Sequence, residues 1–134
     1  IFNDIGAYIF ARDYVRERGY RICLDGVTAL TLPYIDRERL GIDLVKVFWS
    51  PDLGDPARSE RAAEVKAAIE RVGRARVIIA RCDNADAVRF GHEAGVHLFQ
   101  GRHIDRLLSA SNPAAPPIRM KGNVTGQAAA GGVR

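Results

Sequence analysis

The chain has 134 residues, of which 47% are hydrophobic and 27% charged. That suits one folded domain with a sizeable core and is unlike a disordered or membrane composition. No apolar run approaches the roughly 18 residues of a membrane span, and the N-terminus lacks the basic, apolar and small-residue succession of a signal peptide, so a cytoplasmic location is expected. The net charge of +4 does not argue for a nucleic-acid polymer as partner, because Arg119, Lys121 and Arg134 supply three of those charges in a C-terminal segment without acids.

The segment from Asp4 to Arg18 places Ile5, Tyr8, Ile9, Phe10 and Val15 around one broad face, with Asn3 or Asp4 as cap and Gly19 as stop, and reads as a helix. A strand over Tyr20 to Leu24 follows. Pro33, Tyr34, Ile35 and Leu40, stopped by Gly41, predict a short helix before a second strand in "IDLVKVFW". "SPDLGDP" supplies turn residues. Pro56 stands where a helix would begin, and Ala63, Val65, Ala68, Ile69 and Val72 form its core stripe up to Gly73. "ARVIIA" is the third strand. Asn84 caps a helix with Val88 on its apolar side, "VHLFQ" is the fourth strand, and a short helix covers Ile104 to Leu108.

From Ser109 onward the composition shifts to Ala, Gly, Pro, Ser and Asn, with little to bury, so residues 109–134 are expected to be a disordered tail. The chain opens on Ile1 and directly on a helical pattern, which reads as a piece of a longer protein. Cys23 and Cys82 sit in or at the end of apolar runs without metal-ligand spacing and are expected to be buried free thiols, in keeping with a reducing compartment.

Four alternations of strand and helix predict an α/β fold with parallel strands, which fits either an open four-strand sheet or half of a barrel. In such folds the C-terminal strand ends carry the functional groups. Those ends bring Asp25, then Lys46 with Phe48 and Trp49, then Arg81 with Asp83, then Gln100 with Gly101. The same residues also have structural readings. Asp before Gly is a common turn pair, Lys46 can snorkel to solvent, and the aromatics can pack into the core.

"GYRICLDGVTAL", "IDLVKVF", "VIIARCDNADAVRFGHEAG" and "HLFQG", in that order, resemble the later half of the bacterial EAL domain, a TIM-barrel phosphodiesterase of cyclic di-GMP. Setting Asp25 on the first Asp of the family's Leu-Asp-Asp-Phe-Gly motif brings Lys46 onto the lysine of its Lys-Ile-Asp motif without a gap. Gly95 and Gln100-Gly101 then fall on the family's Gly and Gln-Gly. The resemblance covers Ile5 to Leu108. It implies that residues 1–108 are the C-terminal part of an EAL-like domain, four parallel βα units forming the later part of a TIM-type (β/α) barrel, with the Glu-Ala-Leu signature and further ligands upstream.

The family's reaction needs two divalent cations held by carboxylates, with a lysine placing the nucleophile. Here the second Asp is Gly26, the Asp of Lys-Ile-Asp is Phe48, and the Glu of the Ala-Glu-Gly segment falls at Ala80. Asp25 and Asp83 stay as remnants of the metal set and Lys46 as a catalytic remnant. The resemblance thus implies a degenerate, non-catalytic regulatory or interaction module of a signalling protein, without a cofactor. Gln100, Arg81 and Arg102 are then available to a phosphate or guanine of cyclic di-GMP, and Phe48 or Trp49 to a base, while a protein partner or upstream domain reads the state. An active phosphodiesterase using magnesium or manganese and an unrelated α/β scaffold are the alternatives. Asp25 also has a simpler reading, a rim ion pair toward Lys46.

Overall fold

The computed structural model describes residues 4–111. Four strands, β1 (Cys23–Val27), β2 (Leu44–Phe48), β3 (Val77–Ala80) and β4 (Leu98–Gln100), form one sheet in the order β1-β2-β3-β4, every pair parallel. Helix α1 (Ile5–Arg16) precedes the sheet. Helices α2 (Arg37–Leu40), α3 (Ser59–Val72) and α4 (Ala85–Glu93) lie in the three crossovers, and α5 (Arg102–Ser111) follows β4. Because each strand pairs with its predecessor and parallel crossovers are right-handed, the connecting helices arrive on the same face. The sheet is singly wound.

Burial confirms which face that is. Val45 and Val47 of β2 and Val77 and Ile79 of β3 are buried, and they share a core with Val65, Ala68, Ile69 and Val72 of α3 and Ala87 and Phe90 of α4. Each of the Val, Ile and Phe side chains among them contributes about 1.5–3 kcal/mol when fully buried. The alternate strand residues Leu44, Lys46, Phe48 and Ile78 are only half-buried, and Leu98 and Gln100 are exposed. The opposite sheet face is therefore open among the described residues.

Local signals placed the helices well. Asp4 caps α1 by accepting from the Ala7 N–H at 2.9 Å, and Asn84 caps α4 by accepting from the Ala87 N–H at 3.1 Å, caps each worth about 1 kcal/mol. The α3 stripe is Val65, Ala68, Ile69 and Val72. Ala63, expected within it, is exposed, because two residues before Val65 lies on the opposite side of a helix turning 100° per residue. The broad apolar face expected for α1 is likewise uncovered, with Phe10 75% and Ile5 54% exposed. The helix is held at the Tyr8 edge of that face, where Tyr8 and Val15 are half-buried, Tyr8 Oη donates to Leu40 O at 2.8 Å and Arg16 donates to Gly41 O at 3.2 Å.

Three features differ from expectation. The first strand runs to Val27, so Asp25 lies within it and not after it. Leu24 pairs with Val45 and Val27 with Val47, so Asp25 and Gly26 together oppose Lys46, a bulge made possible by Gly26 at φ +74°. Cys23 is exposed, since its pairing with Leu44 puts it on the open face; Cys82 is buried, and both thiols are free. Helix α5 extends through Ser111, with the Ser109 and Ser111 hydroxyls donating to the Asp105 and Leu107 carbonyls at 2.8 Å. The rest of the expected tail, 112–134, lies outside the described residues. Among those residues no helix is long and apolar enough to cross a membrane.

Candidate functional site at the strand rim

The C-terminal ends of β1 to β4 open into a groove of about 460 Å³. All six residues singled out from the sequence, Asp25, Lys46, Arg81, Asp83, Gln100 and Arg102, line it, together with Phe48 and Ala80. Sheet register explains the convergence. Phe48, Ala80 and Gln100 are paired across β2, β3 and β4, so they form one row on the open face, and the bulge in β1 brings Asp25 to Lys46.

Asp25 and Asp83 each already have a cation. Lys46 Nζ donates to Asp25 Oδ2 at 3.1 Å, and the Gly26 N–H donates to Asp25 Oδ1 at 2.7 Å. The lysine first, and that N–H second, hold the Asp25 carboxyl below its ordinary range. The rim ion pair toward Lys46 is thus what Asp25 makes. Arg102 spans both oxygens of Asp83, Nε to Oδ1 at 3.3 Å and Nη2 to Oδ2 at 3.4 Å, and holds that carboxyl low as well.

Arg81 is different. It follows β3 directly with φ +61°, the only non-glycine residue at positive φ among those described, a conformation costing roughly 1–2 kcal/mol. Its guanidinium carbon sits 3.9 Å above the Phe48 ring centroid, a cation–π contact, and among the described residues it makes no ion pair. The chain then closes tightly. Cys82 N–H donates to Gln100 O at 3.0 Å, His103 N–H donates to Cys82 O at 3.0 Å, and a Cβ on Gly101 would come 2.5 Å from Cys82 O. Only glycine fits there.

The two aromatics part company. Phe48 lies in the groove beneath Arg81, whereas Trp49 packs against the core with its Nε1 buried and without a hydrogen-bond partner among the described residues. Asp105 also lines the groove and was not foreseen, because α5 begins at Arg102, two residues earlier than its apolar pattern indicates, which puts Asp105 in the first turn. A second hollow, of about 320 Å³ beside α2, is lined by Arg37 and Arg71 among others. Its cations are spent on backbone: Arg37 donates to the Val72 and Ile42 carbonyls at 3.0 Å and Arg71 to Pro33 O at 3.1 Å.

The donor set does not fit a divalent cation pair. Hard cations take about six or more oxygens, and among the described residues no three His, Cys, Asp or Glu side chains converge. Gly26, Phe48 and Ala80 offer no oxygen side chain, and Asp25 and Asp83 face bound cations of the protein itself.

Fold and groove define a singly wound parallel βα sheet with a charged strand-end rim. No protein-family model matches the chain, and no curated protein or solved structure matches it.

Proposed function

We propose that the chain is the later part of a degenerate, non-catalytic EAL-like module, one that binds cyclic di-GMP at the strand rim and passes that state to an upstream domain or a protein partner in a cytoplasmic signalling protein. The observation that carries the reading is the convergence of Lys46, Arg81, Gln100 and Arg102 in one groove at the strand ends, with Lys46 and Gln100 at positions the resemblance assigns to family motifs. A singly wound order with an open inner face supports a sector of a TIM-type barrel, since further strands on either edge would continue the same winding. The carboxylates that remain are neutralised by Lys46 and Arg102, which supports binding over hydrolysis.

Calorimetric titration of the intact protein with cyclic di-GMP, with and without magnesium, tests the proposal. Saturable binding without turnover is the expected result. No heat in either condition leaves the unrelated-scaffold reading, and turnover with magnesium restores the active phosphodiesterase.

A further inference from the structure

We propose that the rim holds a phosphodiester through the Arg81 guanidinium without a divalent cation, a fixed organic cation standing where the resemblance requires metal ligands. The inference deepens the module reading and takes its nucleotide ligand from it, but the anion site itself rests on geometry.

Three observations carry it. Lys46 and Arg102 are engaged with Asp25 and Asp83, which leaves Arg81 as the rim cation that makes no ion pair among the described residues, although Asp25 feels its charge. Its place is built and not incidental. The backbone adopts φ +61°, a strained region for a side-chain-bearing residue, and the guanidinium carbon sits over the ring of Phe48, 3.9 Å from its centroid. Phe48 is itself half-buried in the sheet, so the ring is a fixed ledge and the stacked guanidinium is pre-organised. Arg81 also lines the groove, and a guanidinium there can grip two oxygens of a phosphate. Among the described residues the rim carboxylate of Asp105 makes no ion pair, and its position in the first turn of α5 offsets its charge against the helix N-terminus. A guanidinium can hold a phosphodiester but, unlike a bound metal ion, offers no coordinated water to activate, so such a site binds without cleaving.

The test is titration of the intact protein in excess EDTA with two probes, cyclic di-GMP and the dinucleotide TpT, which has a phosphodiester and no guanine. The variant is Arg81→Gly, which removes the guanidinium while accepting the positive φ, so a thermal melt at or above the parent's midpoint confirms that the fold persists. Binding of at least one probe in EDTA, weakened about ten- to a hundredfold in Arg81→Gly, is the expected result. TpT binding without cyclic di-GMP binding supports the anion site and overturns the guanine-nucleotide function. Cyclic di-GMP binding that requires magnesium, or that is unchanged in Arg81→Gly, overturns the anion site and leaves the module reading in place. Absence of binding by both probes in EDTA overturns the inference.

Discussion

Lys46 Nζ lies 3.1 Å from Asp25 Oδ2 across the β1 bulge, so the one carboxylate at the family's first Asp position is spent on the neighbouring strand's lysine. Because this pairing holds the Asp25 carboxyl below its unfolded value, its contribution to stability is present above about pH 4 and is lost as pH falls through the folded-state value. Carboxyl-carbon NMR should find the Asp25 midpoint below the usual value of about 3.9, moving back toward it in Lys46→Met. An Asp25 midpoint indifferent to that substitution would remove the ion pair from the account.

Two glycines of the rim should respond differently to alanine. At Gly26 a Cβ meets nothing within 4 Å, so the cost of Gly26→Ala is only that of φ +74°, about 1–2 kcal/mol. At Gly101 the same Cβ would drive into the Cys82 backbone, which cannot swing aside as a side chain does. Gly101→Ala should therefore cost more than Gly26→Ala, about 3 kcal/mol or above, and loosen the Cys82–Gln100 hydrogen bond that joins β3 to β4. Urea denaturation of the two variants orders them directly, and equal losses would mean that the β3–β4 closure is soft.

These two positions also show what was legible in the sequence. The strands β2 and β3 are apolar runs between turn residues, and Asn84 and Gly73 punctuate the helices, so the alternation of elements and the rim residues Asp25, Lys46, Arg81, Asp83 and Gln100 could be read from local pattern, whereas Arg102 came with the resemblance. The bulge could not, because nothing in "LDGV" distinguishes a glycine that ends a strand from one that bends it. Exposure escaped for a related reason. An apolar pattern gives the face of Ile5, Ile9 and Phe10 but not whether anything covers it, and Cys23 lies on the open side of the sheet through register alone. The stacking of Arg81 on Phe48 joins residues 33 positions apart through sheet pairing, and no local signal carries that.

The uncovered surfaces predict how this chain behaves by itself. Strands β1 and β4 each have one unpaired edge among the described residues, Leu98 is exposed on the open sheet face, and α1 presents Ile5, Ile9 and Phe10 to solvent. Such edges and apolar patches template association. Sedimentation of the isolated chain should show concentration-dependent assembly, reduced by Ile9→Lys with Phe10→Glu. A monodisperse monomer that melts cooperatively would show that four strands suffice.

The catalytic prediction is that the intact protein forms no linear dinucleotide from cyclic di-GMP above background at neutral pH with magnesium or manganese. The reason is local to three positions. Gly26 has no side chain, Phe48 puts an apolar ring under a guanidinium where a carboxylate would be required, and Ala80 is too short to reach a cation. A cation entering this rim would meet the fixed charge of Arg81 and find Asp25 and Asp83 already paired, so it would bind weakly and leave its water near the unactivated pKa. Single restorations should stay at background, since residues acting as a unit are strongly non-additive. Gly26→Asp is sterically open, and Asp tolerates the left-handed backbone better than most residues, so Gly26→Asp, Phe48→Asp and Ala80→Glu together are the meaningful gain-of-function variant. Chromatographic detection of the linear product would decide: metal-dependent product from the unmodified protein, abolished by Asp25→Ala, would show that the rim assembles a metal site after all and that the module is an active phosphodiesterase.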